Sequence, residues 1–438
     1  MNNLINVGLI GIGTVGGGTY KIIHENAAEL FRKTGKKIVI SHVADKNLEL
    51  AKKVVSKETK VSSDAFELIN DKNIDIVVEL IGGTTVSKDL VEQALKNGKH
   101  VVTANKALIA THGEELVALA KSNNVILAYE ASVAGGIPVI KAIREGLVAN
   151  KIIWVAGIIN GTTNYILTEM RENGLTFQTA LKQAQDLGFA ESDPTFDIEG
   201  IDAAHKLTIL ASVSFGIPIN FNAVYVEGIS NLQSVDISYA EELGYRIKLL
   251  AITKCHKDSV ELRVHPTLIP EKRLVANVNG SMNAVLVKGN MVGPTLYYGA
   301  GAGSEATASS VVADIVDITR QADLNSAERV PMLGFLSEQI EAKRILKIDE
   351  IVSEYYLRMS MSNKTGLLAK ITNIFASHSI SIDAMTQKEV EDNATDVDIV
   401  LITSSVIEKV MNKIINEIET LTENKNKIIK IRIESLNK

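Results

Sequence analysis

A glycine-rich turn, Gly11 to Gly16, constrains the fold of the N-terminal region more than any other feature. It follows an apolar run from Ile5 to Ile10, typical of a buried parallel strand, and precedes a helical segment from Gly17 to Ile23. In this context the pattern GxGxxG predicts a dinucleotide-binding turn, because its glycines allow a tight turn and a close approach to a pyrophosphate. The alternative is a glycine-rich turn that binds nothing. The residues expected at the cofactor are Gly11, Ile12, Gly13, Thr14, Val15 and Gly16.

Short apolar runs alternate with helical segments after this turn. Strands are predicted at Lys37 to Ala44, Ile74 to Ile81 and His100 to Thr103, with a helix at Ser87 to Asn97 between the last two. This alternation predicts an α/β domain with a doubly wound parallel sheet of the Rossmann type. Ligands of such sheets bind at the carboxyl ends of the strands.

Polar residues follow those predicted strand ends. Asp45 would bond the ribose hydroxyls of NAD, whereas the adjacent Lys46 favours the 2′-phosphate of NADP, so the choice of cofactor stays open. Thr84 and Lys106 follow the next two strands and are further candidates for the cofactor site. An ordinary surface lysine is the alternative for Lys106.

The segment from Leu187 to Leu210 is rich in carboxylates and contains one lysine, Lys206, close to one of them in the sequence. Lys206 follows Asp202 by four residues, so the two side chains would share one face of a helix. A lysine beside a carboxylate could deliver a proton to a developing alkoxide while its partner holds the substrate. The alternative is a solvated acidic loop with an ordinary salt bridge. His205 would point to a different helix face, which predicts a structural role.

Composition limits the class of protein. The 438 residues, 46% apolar and 22% charged, predict a globular protein of two or three domains. A net charge of −6 argues against a nucleic-acid partner. The N-terminus runs directly into the glycine-rich turn, and no apolar run reaches the roughly 18 residues of a membrane span. We therefore expect a soluble cytoplasmic protein without a membrane partner. The single cysteine, Cys255, excludes disulfides and multi-cysteine metal sites.

The pattern divides the chain into further units. Residues 1–135 form the dinucleotide-binding domain, completed by about 300–337, and residues 136–300 form an α+β region with a predicted antiparallel sheet. Residues 338–350 are a charged linker or helix end. Residues 351–438 show strands and helices in the order β-α-β-β-α-β, which predicts a separate ferredoxin-like unit.

Five segments are similar to one known family, and together they span most of the chain. The chain resembles homoserine dehydrogenase with a C-terminal ACT domain, which implies NAD- or NADP-dependent interconversion of L-aspartate 4-semialdehyde and L-homoserine. In that family the middle region holds the substrate and pairs subunits, which implies a homodimer or homotetramer. The matching segments are VVTANKALIATHG, YEASVAGGIPVIKAIREGL, GIINGTTNYILTEM, LGFAESDPTFDIEGIDAAHKLTIL and GAGAGSEATASSVVADI.

The resemblance implies roles for individual residues. Lys206 matches the proposed proton donor, and Asp202 and Glu191 match the substrate-binding carboxylates. Lys106 matches a catalytic lysine near both the nicotinamide and the substrate, and Gly303 matches a glycine that returns to the cofactor. Relatives that prefer NADP often carry an arginine where this chain has Ala44, which weakens the case for a strong NADP preference.

The resemblance also implies a monovalent cation, Na⁺, and an effector. The family's cation site falls on Glu130, Val133, Gly135 and Ile137, which offer oxygen ligands. The NKTGLLAKI turn matches the ligand-binding loop of ACT modules, with Asn363, Gly366 and Leu367 as candidates and L-threonine as the expected effector. Thr365 stands where proline is frequent, and a purely structural dimerisation module remains an alternative.

Two other functions compete with this interpretation. An aldehyde-oxidising semialdehyde dehydrogenase would need an activated cysteine, and Cys255 lies in no nucleophile context. A non-catalytic sensor of nucleotides and amino acids would not need the lysine–carboxylate pair.

Overall fold

The N-terminal region of the protein, described here from a computed structural model, is a parallel sheet covered by helices. The structure describes residues 3–325, 328–388 and 395–436. The strands are β1 (Leu4–Ile10), β2 (Lys37–Ala44), β3 (Lys60–Ser62), β4 (Ile76–Glu79), β5 (His100–Thr103) and β6 (Leu127–Ala128). The helices are α1 (Thr14–Glu25), α2 (Ala27–Thr34), α3 (Leu48–Val54), α4 (Ala65–Asn70), α5 (Val86–Lys96) and α6 (Lys106–Ser122).

The strand order β3-β2-β1-β4-β5-β6 is that of a doubly wound sheet, which confirms the predicted Rossmann-type architecture. Every pairing in this sheet is parallel. The central strands are buried on both faces, which is why they form continuous apolar runs rather than alternating ones.

A second, mixed sheet begins in the middle of the chain. Its strands here are β7 (Ile152–Ile158), β8 (Tyr225–Val226), β9 (Tyr245–Cys255), β10 (Ser259–Pro270), β11 (Met282–Gly289) and β12 (Gly293–Ala300). The accompanying helices are α7 (Val139–Lys141), α8 (Gly161–Glu172), α9 (Phe177–Asp186), α10 (Thr195–Ile198), α11 (Ile201–Phe215), α12 (Ser234–Glu242) and α13 (Ser304–Gln321).

The predicted antiparallel sheet is present, with one difference. β9 and β10 pair in antiparallel fashion along the whole length of β9. The sequence pattern predicts a further strand of that sheet from Val224 to Gly228, but β8 has only two residues and pairs in parallel with β10. A 3₁₀ turn, Phe221–Ala223, precedes β8.

Helix α13 returns to the N-terminal sheet. Its buried residues Val311 and Ile315 share a hydrophobic cluster with Val7 and Leu9 of β1. The Ser304 hydroxyl at its start donates to the Thr14 carbonyl, at 2.8 Å. After the strands of the second sheet, the chain therefore returns through α13 to the glycine-rich turn.

The elements of the C-terminal unit are β13 (Arg344–Ile345), β14 (Val352–Ser362), α14 (Leu367–Ser377), β15 (Ile382–Gln387), β16 (Asp396–Thr403), β17 (Val406–Ile407), α15 (Glu408–Glu419) and β18 (Ile429–Ile433). The unit has the predicted ferredoxin-like strand order, β18-β14-β16-β15, with two helices between strands. The sequence pattern predicts its second helix from Val406 to Leu421, and α15 begins two residues later because β17 pairs with β14.

The C-terminal unit continues the second sheet instead of standing apart from it. β18 pairs in parallel with β10 through Thr267 and Leu268, which gives one sheet of twelve strands. In the segment predicted as a linker, β13 also pairs with β10. We call the contact between the C-terminal unit and the preceding strands and helices, β8, β9, β10 and α12, the domain seam. Local sequence patterns predicted a separate unit because strand pairing between distant segments leaves no local signal.

Buried ion pairs cross the domain seam. Arg263 on β10 is 1% exposed and pairs with Glu434. Arg358 on β14 donates to both carboxylate oxygens of Asp236 on α12, at 2.6 and 3.0 Å. Because an unpaired buried charge costs several kcal/mol, these pairs make the two units depend on one another.

None of the helices in the part of the chain that the structure describes is both long enough and apolar enough to cross a membrane.

Candidate functional site

The candidate active site centres on one carboxylate held between two lysines. Asp202 is 2% exposed, and its two oxygens accept from different residues. The Lys106 ammonium lies 2.6 Å from Oδ1, and the Lys206 ammonium lies 2.7 Å from Oδ2. The structure therefore brings together the three residues predicted as catalytic.

Two helix starts position this cluster. Asp202 lies in the first turn of α11, and Lys206 follows one turn later, as their spacing predicted. Lys106 is the first residue of α6, and the preceding Asn105 caps that helix by accepting from the Leu108 N–H at 3.0 Å. Asn105 also donates to the Gly83 carbonyl at 2.6 Å, which ties Lys106 to the loop after β4.

Asn160 extends the cluster and was missed by the sequence analysis as a site residue. It donates to Asp202 Oδ2 at 2.9 Å and to Asp197 Oδ1 at 2.7 Å. The Ile159 carbonyl beside it accepts from the Lys206 ammonium at 2.8 Å. The available signal was an asparagine before Gly-Thr-Thr, which is typical of a helix N-cap, and Asn160 does cap α8.

Burial and charge set the protonation of these groups. Burial lowers the pKa of Lys206 from its ordinary value, and the neighbouring Lys106 adds to this, although Asp202 opposes it. Burial also works to lower the pKa of Lys106, but the Asp202 carboxylate outweighs it and the pKa is raised. Burial works to raise the pKa of Asp202, but the two lysines hold it well below its usual range. The cluster is thus built to stabilise an anion, with Lys206 as its more easily deprotonated lysine.

Residues around the cluster complete the pocket. Glu191 lies in the exposed loop after α9, where its charge contributes to raising the pKa of Lys106. The Lys106 ammonium also lies 5.7 Å from the centre of the Phe196 ring. His205 packs between Phe196 and Phe221, as its predicted structural role requires, and burial lowers its pKa to about 4.

The glycine-rich turn has the geometry that a dinucleotide needs. Gly11 has a φ of +93°, and a Cβ on Gly16 would lie 2.0 Å from the Gly11 carbonyl oxygen. A Cβ on Gly13 would meet nothing within 4 Å, so the space above the turn is open. Gly13 starts α1 with no side-chain cap, which leaves the first N–H groups available to a phosphate.

The other predicted cofactor residues surround this turn at the carboxyl edge of the sheet. Asp45 accepts from the Ile12 N–H at 2.8 Å and from the Asn47 N–H at 2.7 Å. Thr84 follows Gly82 and Gly83 after β4, and Gly303 precedes the Ser304 that contacts the turn. Because β1, β4 and β5 are parallel, the glycine-rich turn and Lys106 lie at the same edge.

Glu79 is a buried residue at this edge that the sequence analysis also missed. It accepts from the Thr103 hydroxyl at 2.6 Å and from the backbone N–H groups of Ile81 and Gly82. It therefore shapes the loop that carries Thr84. The pattern showed only an acidic residue ending an apolar run.

The predicted cation loop lies between the two sheets. Glu130 is 2% exposed and accepts from the N–H groups of Ile140 and Lys141, at 2.9 and 2.8 Å. The carbonyls of Gly135 and Ile137 accept from Ser310 and Val139. With Val133, these groups offer only oxygen donors, which fits a hard cation. Within the described residues, no group of three His, Cys, Asp or Glu side chains could hold a metal ion.

The remaining predicted residues lie away from the cluster. Cys255 ends β9, where its thiol lies 3.4 Å from the Lys343 ammonium. In the C-terminal unit, Asn363 is exposed and Leu367 is buried at the start of α14. Gly366 precedes that helix with a φ of +86° and no side-chain cap, a Cβ there would meet nothing within 4 Å, and the Leu367 N–H donates to the Lys364 carbonyl at 3.2 Å.

Comparison with known protein families gives matches to three parts of the chain. Residues 11–130 match a model described as the homoserine dehydrogenase NAD binding domain, residues 138–316 match homoserine dehydrogenase, and residues 355–423 match the ACT domain. The homoserine dehydrogenase of Neisseria gonorrhoeae is 54% identical over 432 residues, and that of Pseudomonas aeruginosa is 52% identical over 433. Both matches cover 99% of each chain.

Solved structures agree with these matches. The crystal structure of a homoserine dehydrogenase from Thiobacillus denitrificans has a TM-score of 0.94 and 54% identity, with 99% of both chains covered. A hyperthermophilic archaeal homoserine dehydrogenase in complex with NADPH has a TM-score of 0.62 and 27% identity, covering 74% of this chain and 99% of its own.

Proposed function

The chain belongs to the homoserine dehydrogenase family, and from that premise we propose how its residues interconvert L-homoserine and L-aspartate 4-semialdehyde. The nicotinamide cofactor supplies or accepts the hydride when it is bound. The observation that carries the proposal is the buried Asp202 between Lys106 and Lys206, at the same sheet edge as the glycine-rich turn.

Lys206 is the proposed proton donor and acceptor at the substrate oxygen. Its ammonium uses two N–H groups on Asp202 and the Ile159 carbonyl, which leaves the third for a substrate oxygen. In reduction that N–H donates its proton as the oxygen becomes an alkoxide, and in homoserine oxidation the neutral amine takes the proton back. Lys106 adds a second positive charge that stabilises the alkoxide.

The acidic loop is the proposed partner of the substrate ammonium. Asp202 is largely neutralised by its two lysines, so its main contribution is to orient them beside the substrate. The charges of Asp197 and Glu191 contribute to raising the pKa of Lys106, and one Asp197 oxygen accepts a hydrogen bond from Asn160. We assign the ammonium of homoserine to this side of the pocket.

Replacing Lys206 with methionine should lower kcat for homoserine oxidation by roughly 10²- to 10⁴-fold, because a general acid–base is lost. The dissociation constant of the dinucleotide should change little. Steady-state rates at 340 nm and fluorescence titration measure the two quantities. Lys96→Met, which removes an exposed lysine of α5, is the matched control. Near-normal turnover of the Lys206 variant would exclude its proton-transfer role.

The pH dependence offers a second readout of the same prediction. Homoserine oxidation needs neutral Lys206, so its rate should rise with pH through the pKa of that lysine. Asp202→Asn removes the carboxylate that favours the charged form, so the rising limb should move to lower pH. An unmoved limb would mean that another group takes the proton.

For the cofactor we propose that NAD is usable. Asp45 follows β2, at the place where this fold binds the adenosine ribose, and each of its oxygens keeps a lone pair beyond the bond it already accepts. Its charge would repel a 2′-phosphate, and Ala44 supplies no compensating cation. The exposed Lys46 keeps NADP open as the alternative.

Asp45→Asn should raise the ratio of kcat/KM with NADP to that with NAD, because it removes the charge that repels the 2′-phosphate. Asp64→Asn, at a helix cap in the same domain, should leave the ratio unchanged. A preference of the unaltered enzyme for NADP of roughly a hundredfold or more would show that Asp45 does not act on the ribose.

A monovalent cation is proposed at the loop of Glu130, Val133, Gly135 and Ile137. Burial raises the pKa of Glu130 to about 8, and the nearby Asp314 charge adds to this. A bound Na⁺ would offset that cost and stiffen the loop leading into α7.

Replacing NaCl by choline chloride at equal ionic strength should therefore lower turnover, with recovery as Na⁺ is added back. Parallel assays in lithium chloride and potassium chloride show whether turnover depends on the size of the cation, as a specific site requires, or only on salt in general. Equal rates in Na⁺ and choline would contradict a functional cation site.

The ACT unit is the proposed feedback site, with L-threonine as the effector. The uncapped N–H groups of α14 at Gly366 suit the carboxylate of an amino acid, and Asn363 offers an amide beside them. Inhibition at a distance requires threonine to favour a less active conformation. Point variants test this better than a deletion after Asp349, because deletion would uncover β10 and its buried charges.

Gly366→Asp should raise the threonine concentration for half-inhibition by roughly tenfold relative to Gly366→Asn, because only the aspartate repels the ligand carboxylate. The two variants carry the same backbone strain at a positive φ, so each controls for the other. Homoserine KM without threonine should be equal in both. No inhibition of the unaltered enzyme, or equal inhibition of the two variants, would contradict the assignment.

Subunit pairing through the second sheet completes the proposal. β12 ends the strand order of that sheet, and Tyr298 on it is 57% exposed. An edge strand with an exposed aromatic residue suits contact with a second copy in a homodimer or homotetramer, which light scattering of the intact protein measures. The proposed compartment is the cytoplasm, since both substrates are small polar metabolites.

A further inference from the structure

An ion pair joins the ACT unit to the segment that precedes α12. Glu227 follows β8, and its N–H donates to the Val264 carbonyl at 2.8 Å. Its carboxylate accepts from Arg432 on β18 at 2.8 Å and from the Tyr225 hydroxyl at 2.9 Å. Arg432 is 1% exposed and also pairs with Glu408 of the ACT unit. One buried guanidinium is thus shared by both sides of the domain seam.

The residues after Glu227 hold the end of α10. The Ile229 N–H donates to the Ile198 carbonyl at 2.9 Å, and the Ser230 hydroxyl donates to the Glu199 carboxylate. The contact is close, since a Cβ on Gly228 would lie 2.6 Å from the Ile198 carbonyl oxygen. A shift of Glu227 would therefore be passed directly to α10.

Helix α10 is held by these contacts together with those of Asn160 on Asp197 and of His205 on Phe196. It has four residues and no side-chain cap, and an isolated helix of that length is unstable. It carries Phe196 beside the Lys106 ammonium and Asp197 beside Asn160. The neighbours of α10 therefore decide where the acidic side of the substrate pocket lies.

We infer that the Glu227–Arg432 ion pair is a positioning device, through which the ACT unit holds α10 and Asp197 in the geometry that homoserine binding needs. The inference rests on the proposed function, because it takes Asp197 as a partner of the substrate ammonium. Glu227 and Arg432 are positioning residues, since neither touches the lysine–carboxylate cluster. The pair gives the ACT unit a short physical route to substrate affinity, because two hydrogen bonds, from Ile229 and Ser230, link the residues after Glu227 to the end of α10.

Glu227→Leu tests the inference in the intact enzyme. The Glu227 side chain is 36% exposed and borders a cleft of about 1070 Å³ at the domain seam, so its replacement leaves room for water around Arg432. We expect the KM for homoserine to rise by roughly 2- to 30-fold, the range expected for residues along such a network. The kcat and the KM for the dinucleotide should change little. Glu227→Gln keeps an acceptor for Arg432 and should have a smaller effect.

Lys254→Met is the matched control. It removes another ion pair across the domain seam, with Glu434 at 2.9 Å, from a strand that does not hold α10. Homoserine KM should stay unchanged in this variant, although its melting temperature falls. Equal KM in the Glu227 and Lys254 variants would overturn the inference, and so would a change confined to kcat.

Ser230 provides a second test that does not disturb Arg432. Ser230→Ala removes the hydroxyl on Glu199 and should raise homoserine KM in the same direction, whereas Ser230→Thr keeps a hydroxyl and should restore it. An unchanged homoserine KM in the Ser230→Ala variant would show that α10 is not positioned through this contact, and it would overturn the inference. Failure of the proposed chemistry is distinguishable, because it would appear as retained kcat in the Lys206→Met enzyme.

Discussion

The pairing of the buried Asp202 carboxylate with two lysines is the interaction on which the rest of the structure depends. It receives Lys106 from the start of α6 and Lys206 from its own helix, so it joins the dinucleotide-binding domain to the substrate region. Two ammonium groups and one carboxylate leave a net positive charge, and two of the three residues, Asp202 and Lys206, are buried, so an alkoxide formed there is strongly stabilised. A carboxylate at this depth tolerates burial because it is paired with a cation. Removing Asp202 would leave two ammonium groups without their carboxylate partner at the domain junction.

The second constraint is the continuous sheet that joins the catalytic and ACT units. β10 pairs with β9, β18, β8 and β13, so a shift of β10 would displace strands from both the substrate region and the C-terminal unit. Buried pairs such as Arg263–Glu434 and Arg358–Asp236 then make separation of the units costly. An effector that bound to the ACT unit would therefore act on a body that is already packed against the substrate region. Small shifts at the domain seam would be enough to transmit it, because packed interfaces move between discrete arrangements.

Local patterns predicted much of the fold. The strands Lys37–Ala44 and His100–Thr103 have the predicted ends, because buried parallel strands are continuous apolar runs bounded by polar residues. The two-residue strands β8, β13 and β17 were not predicted with these bounds. Their existence depends on a partner strand far along the chain, and two residues are too few for an apolar period. The same reason explains why the predicted linker contains a strand and why the ACT unit was expected to stand alone.

The features of the candidate site also separate into those that local sequence predicts and those that depend on contacts between distant segments. Sequence alone determined that Asp202 and Lys206 would share a helix face and that Gly11 to Gly16 would form a tight glycine-rich turn between a strand and a helix, because both follow from the geometry of adjacent residues. Only the tertiary structure decided that Lys106 and Asn160 would reach that carboxylate, that Asn160 would join it to Asp197, and that Arg432 would reach Glu227. These residues come from separate helices and strands, and no local rule fixes the distance between them. Their meeting depends on how the two sheets and α10 pack, which is a property of the whole chain.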